Sequence, residues 1–326
     1  MSKLAILLAT YNGEKYITEL LESLLSQTYE DFTVYIHDDG STDGTREIIK
    51  EWSLKYPAKF VRLGGDPVGG AKQHFLWMLS QMIDADYYMF CDQDDVWHPN
   101  KVAHTMTAIK AMREPDCAGM DECPRLVFSD MYVTDDKLNV TSSSFLKTIG
   151  REGQRRSFSQ VVIDNPAAGC TICFNKALRD IVVKASDINI NNIPMHDAYL
   201  LALADIYGET AFVDEQLVFY RQTGFNEMGA KHENGYQKIC RNLKDIFSGR
   251  VKTEKRRFID EARLFARELV RASEQINISN KTVNSKIEVL DEFTRIGDFP
   301  KPQRIYFYLK NNFNRAHGTL WMLMWI

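Results

Sequence analysis

Short apolar runs alternate with amphipathic segments over the first 130 residues of the chain. Leu4–Ala9 is an apolar run that ends in the turn-like Tyr11-Asn12-Gly13, which predicts a buried strand. Apolar side chains then recur at helical spacing, at Ile17, Leu20, Leu21, Leu24 and Leu25, and predict an amphipathic helix. The alternation continues with strands predicted at 33–37, 60–63 and 87–91, and with helices predicted around Ile48, Ile49 and Trp52 and over 70–83. We expect Asp43 to cap the first of these two helices.

This alternation predicts an α/β domain with a doubly wound, mainly parallel sheet and helices on both faces. Ligands of such sheets bind at the carboxyl ends of the strands. Polar clusters at 10–13, 38–41 and 92–95 each follow a predicted strand directly. We therefore expect the three clusters to converge on one edge of the sheet.

The pattern changes in the second half of the chain. After Leu126–Ser129 it becomes mixed, with short strands and loops to about residue 230. Helical spacing then returns, and one apolar stripe is formed by Phe258, Ala262, Phe265 and Leu269. We place a boundary within 224–229, between a main domain over residues 1–230 and a helical C-terminal extension over residues 231–326.

Composition excludes several classes of protein. The 326 residues are 44% hydrophobic and 26% charged, which is typical of a folded globular chain rather than a disordered or collagen-like one. The apolar runs are far shorter than the ~20 residues that a membrane-spanning helix needs. The first residues also lack the pattern of a secretory signal. Six scattered cysteines lack the density of a disulfide scaffold, which favours a reducing cytoplasm.

The two regions differ in charge although the net charge of the chain is only −4. Residues 1–230 carry 21 Lys and Arg against 33 Asp and Glu, whereas residues 231–326 carry 19 against 11. A basic extension is compatible with nucleic acid, with an anionic membrane surface, or with a solvated helical face.

The segment Asp92-Gln93-Asp94-Asp95 carries the most informative chemistry. Three carboxylates at the end of a strand repel one another unless a cation offsets their charge. Oxygen-rich clusters of this kind suit Mg²⁺ or Mn²⁺ together with substrate phosphates. The alternative is a solvated acidic loop or a helix cap before Pro99.

Two further loops follow predicted strands. The carboxylates of Asp38 and Asp39 are suited to accept hydrogen bonds from a base or a ribose, although turn and capping chemistry is the alternative. Thr10-Tyr11-Asn12-Gly13 adds a flat aromatic ring and backbone donors, on which a nucleotide base can stack.

The Gly-rich segment 64–70 is not a phosphate-binding P-loop, because it lacks the Gly-Lys-Ser/Thr ending. It can still bring Lys72 and a helix N-terminus toward a phosphate, or it is simply a flexible loop.

His196-Asp197 opens a predicted helix after Pro194. Asp197 is either a general base that accepts a hydroxyl proton or a helix cap. Cys170 and Cys173 lie in an apolar run without a second pair, which favours two buried small hydrophobic side chains over a metal site.

In order along the chain, these motifs resemble one family. The segments ATYNGEKYITELLESLLSQTY, IHDDGSTDGT and YYMFCDQDDVWHPNKV resemble the nucleotide-binding half of inverting family-two glycosyltransferases with the GT-A fold. VFSDMYVTD, NPAAGCTICFN, PMHDAYLLALADIYG and FYRQTGFNEMG resemble bacterial rhamnosyltransferases of cell-wall or surface polysaccharide synthesis. The resemblance covers about residues 3–230, which would be the catalytic domain.

The resemblance implies roles for individual residues. Thr10, Tyr11, Asn12 and Gly13 would flank the nucleotide, and Asp38 and Asp39 would hold its base and ribose. Asp92-Gln93-Asp94 would be the DxD motif, with Asp92 and Asp94 as ligands of a divalent metal, Mn²⁺ or Mg²⁺. Asp95 and Trp97 would line the donor-sugar pocket, Asp197 would be the catalytic base, and Arg221-Gln222 would close over the diphosphate or the acceptor. We expect the ordinary aspartate pKa of ~3.9 to suffice for that base.

The chain departs from the family pattern at two positions. Thr223 stands where the family usually has a histidine, which excludes a histidine metal ligand there. Ala198 stands where the family usually has tryptophan, which would open the acceptor side.

The resemblance also implies the reaction and its partners. We expect an inverting transfer of a sugar, L-rhamnose from dTDP-rhamnose, to a hydroxyl of a lipid-linked or oligosaccharide acceptor, with no nucleic acid partner. A UDP-hexose donor and a non-catalytic scaffold remain alternatives. A sugar-nucleotide pyrophosphorylase is disfavoured, since Tyr-Asn-Gly replaces its usual glycine-rich loop and basic residue.

The basic extension would bring the protein to the inner face of the cell membrane or to a second subunit. Its basic residues are Lys252, Lys255, Arg256, Arg257, Arg263, Arg267 and Arg271, and its aromatic and apolar residues are Tyr306, Phe307, Tyr308, Phe313 and 320–326.

Overall fold

A computed structural model describes residues 2–112, 117, 120, 122–151, 157–223, 250–278 and 280–313, with side chains omitted at 250–255. Its first half is a parallel α/β unit. The strands are β1 (Leu4–Thr10), β2 (Phe32–Asp38), β3 (Phe60–Arg62) and β4 (Tyr87–Asp92). The intervening helices are α1 (Ile17–Leu25), α2 (Thr45–Lys55) and α3 (Ala71–Ser80). β1 pairs in parallel with both β2 and β4, and β2 pairs in parallel with β3.

The second half extends the same sheet with strands of both directions. Its elements are β5 (Val96–Trp97), α4 (Lys101–Ala111), β6 (Arg125–Thr134), β7 (Val140–Ser142), α5 (Phe145–Thr148), α6 (Phe158–Ile163), β8 (Ile172–Asn175), α7 (Lys176–Lys184), α8 (His196–Tyr207) and β9 (Glu209–Arg221). The strand order is β3-β2-β1-β4-β8-β6-β9-β5, with β7 beside β6. β8 runs antiparallel to β4 and β6, whereas β6 and β9 are parallel. The predicted α/β sheet with helices is therefore confirmed, as a mixed sheet.

Alternate residues of β1 point into two different cores. Ala5 and Leu7 belong to the core under α3, α7 and α8, whereas Leu4, Ile6 and Leu8 belong to the core under α1, α2 and α4. A strand buried on both faces needs a continuous apolar run, and this is why the run in the sequence predicts it.

The helices after residue 250 pack on the first of these cores. They are α9 (Arg250–Ile276), α10 (Lys281–Thr294) and α11 (Lys301–Lys310). The apolar stripe of α9, with Phe265 and Leu269 fully buried, lies in the same core as α8. The boundary that we placed within 224–229 lies outside the described residues.

Three aromatic residues of this region do not lie at the surface that the sequence predicted for them. Phe307, Tyr308 and Phe313 were expected at a membrane or subunit surface, but they are buried around Phe293. Tyr306 remains exposed. The basic residues also pair within the chain, since Arg271 contacts Asp187 and Arg263 donates to the Thr294 carbonyl oxygen. The side chains of Lys252 and Lys255, and residues 320–326, lie outside the described residues.

Three other features concern the cysteines, the start of α2 and the helices that could cross a membrane. Cys117 and Cys123 form a disulfide, which the cysteine spacing did not predict. Asp43 precedes α2 and accepts from the backbone N–H of Thr45, although the residue at the cap position is Gly44. Within the described part of the chain, no helix has the length and apolarity required to cross a lipid bilayer.

Candidate active site

The loops after β1 and β4 are joined by a reciprocal pair of hydrogen bonds. The Tyr11 backbone N–H donates to Gln93 Oε1 at 2.9 Å, and Gln93 Nε2 donates to the Tyr11 carbonyl oxygen at 2.7 Å. A Cβ atom on Gly13 would lie 2.2 Å from Gln93 Oε1, so a larger residue there would displace the Gln93 amide from Tyr11. The Tyr11 side chain is 56% exposed beside this junction. The paired loops therefore present a solvent-facing aromatic ring at the carboxyl edge of the sheet.

Asn12 links the first loop to the loop after β2. Its backbone N–H donates to Ser41 Oγ, and its Oδ1 accepts from the backbone N–H of Thr42. Its φ of +48° lies in the left-handed region, which asparagine tolerates better than most residues. The three polar clusters predicted to converge on one edge are thus connected by direct hydrogen bonds.

Asp38 organises the turn after β2. Its carboxylate accepts hydrogen bonds from Ser41, from Thr10 Oγ1 at 3.0 Å and from Arg46 Nε at 2.7 Å. Burial acts to raise the pKa of Asp38, but the hydrogen bonds from Ser41, Arg46 and Thr10 hold it below its usual value. This carboxylate is therefore ionised and occupied by its own loop.

Asp39 connects β2 to the Gly-rich loop. Its carboxylate accepts from the backbone N–H groups of Val68 and Gly69. Gly69 and Gly70 both have positive φ, 86° and 82°, which explains glycine at both positions. The Gly-rich segment is therefore held to the sheet edge through Asp39.

Lys72 lies on the other side of this loop. Its Nζ donates to the Ile193 carbonyl oxygen at 2.7 Å, in the segment that precedes α8. The side chain thus reaches toward α8 in this structure, and its approach to a phosphate stays a prediction.

The acidic segment after β4 forms a cluster that can hold a cation. Ligand atoms of Asp92, Asp95 and Cys170 all lie within 4.8 Å of one another. Asp95 is fully buried, and its Oδ2 has no hydrogen-bond partner among the described residues, although the Cys170 thiol lies alongside. Burial, and then the carboxylates of Asp94 and Asp92, raise the pKa of Asp95 well above its usual range. The clustered carboxylate oxygens of Asp92 and Asp95 are the kind of donor that Mg²⁺ or Mn²⁺ takes, and a bound cation would favour the ionised form of Asp95.

Arg221 holds this acidic segment in place through hydrogen bonds. Its backbone N–H donates to Asp95 Oδ1 at 3.3 Å, and its Nε donates to the Asp94 carbonyl oxygen at 3.0 Å. The rest of the guanidinium bonds the Asp136 carbonyl oxygen and pairs with Glu19. Arg221 is 3% exposed. It was expected to close over a substrate, but in this structure it is a buried connection between β9, α1 and the acidic segment.

Trp97 and Asp95 were expected to line a sugar pocket, and both are buried instead. Trp97 is 1% exposed, and its ring packs under Lys101 Nζ, 3.0 Å from the ring centroid. The β5 backbone pairs with β9 at Val96 and Trp97, which turns this indole into the core. Gln222 continues β9, and its backbone N–H donates to the Thr134 carbonyl oxygen.

Asp197 lies in the first turn of α8 and is 7% exposed. Its Oδ1 accepts from Asn165 Nδ2 at 3.0 Å and from the Ala198 backbone N–H. Burial raises the pKa of Asp197 to about 7, although the N–H groups of Ala198 and Gly169, the Arg151 charge and Asn165 oppose the shift. The expected ordinary pKa is therefore wrong, because this carboxylate is desolvated.

The 3₁₀ turn Gly169–Thr171 brings Asp197 and the acidic cluster to the same edge. Cys170 contacts the cluster, and the Gly169 N–H faces Asp197. A Cβ atom at Gly169 would lie 2.6 Å from His196 Nε2, so the close approach of this turn to α8 requires glycine.

His196 is a packing residue in this arrangement. Its ring lies 4.4 Å from Phe75 and 4.9 Å from Phe90 between centroids. Burial, and then the nearby Lys72 charge, lower the pKa of His196 to about 3, so the ring is neutral.

Two residues near Asp197 were not identified as site residues from the sequence. Asn165 donates to the Asp197 carboxylate, and Arg151 pairs with Asp164 at 2.7 Å beside it. Asn165 belongs to the NPAAGC segment that resembles the family, so a signal was present, whereas nothing local marks Arg151.

The chain is similar to several known glycosyltransferases. The profile of the family described as Glycosyl transferase family 2 matches residues 5–179. The dTDP-rhamnosyl transferase RfbG of Shigella flexneri is 28% identical over 233 residues, which cover 68% of this chain and 74% of that protein. The poly(ribitol-phosphate) beta-N-acetylglucosaminyltransferase TarS of Staphylococcus aureus is 35% identical over 97 residues, which are 29% of this chain and only 17% of TarS. Among solved structures, S. aureus TarS 1–349 in complex with UDP-GlcNAc superposes with a TM-score of 0.51 at 18% identity, covering 94% of this chain and 79% of that one. This likeness shows the fold.

Proposed function

This chain belongs to glycosyl transferase family 2, and on that premise we propose that it is an inverting rhamnosyltransferase that uses dTDP-rhamnose. The acceptor would be a hydroxyl of a lipid-linked or oligosaccharide glycan in polysaccharide synthesis. The similarity to RfbG over most of both chains supports the choice of donor sugar. A UDP-hexose donor is the second candidate, favoured by the likeness to TarS with UDP-GlcNAc.

The observation that carries the proposal is the position of Asp197. A desolvated carboxylate with a pKa of about 7 is well matched to accept a proton at neutral pH. The Gly169 N–H faces Asp197, and the next residue, Cys170, belongs to the group that includes Asp92 and Asp95. A base and an anionic cluster at adjacent positions suit a reaction in which a hydroxyl displaces a diphosphate.

We propose that the nucleotide binds along the connected loops after β1 and β2. The exposed Tyr11 ring would stack on the base, while Thr10, Asn12 and Gly13 shape the loop around it. Asp39 would exchange its bonds to Val68 and Gly69 for the base or ribose. Asp38 would act indirectly, because its carboxylate is already occupied by Ser41, Arg46 and Thr10.

A divalent cation, Mn²⁺ or Mg²⁺, would be held by Asp92, which lies in the cluster with Asp95 and Cys170, and by Asp94, whose carboxylate is not one of the three groups of that cluster. When bound, the cation would offset the charge that develops on the departing diphosphate. Gln93 would keep the acidic segment in register with Tyr11.

Asp197 would take the proton of the acceptor hydroxyl as the hydroxyl oxygen bonds to the anomeric carbon. The bond from that carbon to the diphosphate oxygen breaks on the opposite face, and the nucleoside diphosphate leaves with the bonding electron pair. One displacement inverts the anomeric centre. Asn165 would orient the carboxylate through its hydrogen bond.

The test is release of nucleoside diphosphate from dTDP-rhamnose, UDP-glucose, UDP-galactose and UDP-GlcNAc, with Mn²⁺ or Mg²⁺ and with or without a lipid-linked acceptor. We expect acceptor-dependent release from dTDP-rhamnose. Asp197→Asn should lower turnover by about 10²- to 10⁴-fold, the usual contribution of a general base, while nucleotide binding survives. The matched control is Asp31→Asn at an exposed position.

Release from a UDP-sugar alone would overturn the rhamnose assignment. Wild-type turnover in Asp197→Asn would overturn the assignment of the base. No release from any donor would contradict transfer of these sugars.

A further inference from the structure

Glu268 is a buried carboxylate on α9, outside the residues that the family profile matches. It is 5% exposed. Its Oε2 accepts a hydrogen bond from the backbone N–H of Asn189 at 2.9 Å, and its Oε1 accepts from Asn192 Nδ2 at 2.7 Å. Both oxygens are therefore bonded to one loop, which precedes α8.

A buried carboxylate is costly unless hydrogen bonds compensate it, so these two bonds fix the loop and the side chain to each other. The loop is also held from the opposite side, since Lys72 Nζ of α3 donates to the Ile193 carbonyl oxygen at 2.7 Å. The 189–193 segment is thus clamped between α9 and α3.

Further contacts extend the clamp toward the start of this loop. Arg271 pairs with the Asp187 carboxylate at 2.9 Å, and Gln275 Nε2 donates to the Asp187 carbonyl oxygen at 2.9 Å. Glu268, Arg271 and Gln275 recur at three- and four-residue spacing, so they share one face of α9. One helix face therefore binds the loop over 187–192.

The clamped loop leads directly into Asp197. After Ile193 only Pro194 and Met195 remain before α8 begins at His196. Lys72 fixes the backbone of Ile193, and Glu268 fixes the loop before it. Together these contacts determine where the first turn of α8 starts. The position of the Asp197 carboxylate follows from that start.

We propose that Glu268 is a positioning residue for Asp197, and that α9 serves the transfer reaction by holding the loop before α8. The proposal rests on the proposed function, in which Asp197 is the base. It assigns to the C-terminal helices a part in the reaction rather than only a surface role.

The test compares Glu268→Gln with Glu274→Gln, which removes the same charge at an exposed position of the same helix. A glutamine amide cannot accept from both Asn189 and Asn192 in the same geometry, because its nitrogen is a donor. We expect Glu268→Gln to lower kcat about 10-fold or more through misplacement of the base, with the KM for donor within about twofold. Hydrogen exchange of residues 187–195 should accelerate in Glu268→Gln and not in the control.

Asn192→Ala is the second variant, for use if Glu268→Gln does not fold. It removes only the side-chain bond and leaves the Asn189 N–H bond, so we expect a smaller fall in kcat in the same direction. If Glu268→Gln does fold, the two substitutions combined in a double-mutant cycle should show non-additive losses.

Three results would overturn the proposal. The first is unchanged exchange over 187–195 in both variants. The second is faster exchange with wild-type kcat. The third is a parallel loss of kcat, donor affinity and melting temperature, which indicates a general structural role. Because exchange needs no substrate, a protein that releases no nucleoside diphosphate would refute the proposed function separately from the clamp.

Discussion

At the residue scale, Asp197 illustrates how burial brings the pKa of a common side chain into the range that suits a general base. The carboxylate lies in the first turn of a helix, where exposed acidic residues usually act only as favourable caps. Here the side chain is shielded from solvent, and its burial raises the pKa of Asp197 to about 7. The neighbouring His196 is neutral, so the charged group beside Asp197 is Arg151, which itself pairs with Asp164.

The pH dependence of kcat/KM should therefore rise through about pH 7 and then level, because only the ionised form of Asp197 accepts a proton. Arg151→Gln removes the charge that favours ionisation, so we expect its midpoint to move to higher pH. Lys147→Gln removes a charge at an exposed position and should leave the midpoint in place. The measurement is the initial rate at low donor concentration from pH 5 to 9. A profile already level at pH 5.5 would contradict a raised pKa.

At the element scale, the end of β9 determines the shape of the acidic segment. Arg221 contacts Asp94 and Asp95 through two different groups, its side chain and its backbone N–H. It also stacks over the Tyr16 ring at 4.7 Å. The strand end and the segment after β4 are therefore a single unit although they are far apart in sequence.

Arg221→Met should weaken nucleotide binding that depends on Mn²⁺ and lower the free energy of unfolding by about 1–3 kcal/mol, since it removes the guanidinium bonds to the Asp94 and Asp136 carbonyl oxygens. Calorimetric titration of dTDP with and without Mn²⁺, together with urea unfolding, would measure both effects. Arg295→Met removes an exposed pair with Asp291 and should change stability by less than about 1 kcal/mol. Full Mn²⁺-dependent affinity in Arg221→Met would show that the acidic segment keeps its shape without this arginine.

The sequence predicted the elements whose signals are local. Each of the first four strands is an apolar run followed by a turn, and the structure has them within one residue of the predicted bounds at Leu4–Thr10 and Tyr87–Asp92. The positions of Trp97 and Arg221 were not predictable, because they depend on the pairing of β5 with β9. Glu268 had no local signal either, since its partner Asn189 is 79 residues away.

At the scale of the whole molecule, the C-terminal helices and the sheet share one core. Phe265, Leu269 and Ile276 of α9 are fully buried with Leu200 and Leu203 of α8. Lys286 of α10 adds polar contacts to the carbonyl oxygens of Asp205 and Ile206 at the end of α8. We expect the body and the helices to unfold together.

Phe265→Ala should lower the free energy of unfolding by about 3–5 kcal/mol, because it opens a cavity under α8. Scanning calorimetry should show one transition at lower temperature. Tyr306→Ala, at an exposed aromatic position of α11, should leave that transition nearly unchanged. Two separate transitions, of which only one moves, would show that the helices fold independently of the sheet.

The shared core has a consequence for protein engineering. In a domain exchange, the main domain of one family member would be joined to the C-terminal helices of another. In this chain such a chimera would bring a foreign helix against α8. That helix would have to reproduce the apolar stripe around Phe265 and a carboxylate that accepts the hydrogen bonds of the loop, as Glu268 does. Crossovers should therefore carry α9 together with the loop 187–193, so that the helix and the loop it binds are inherited as a pair.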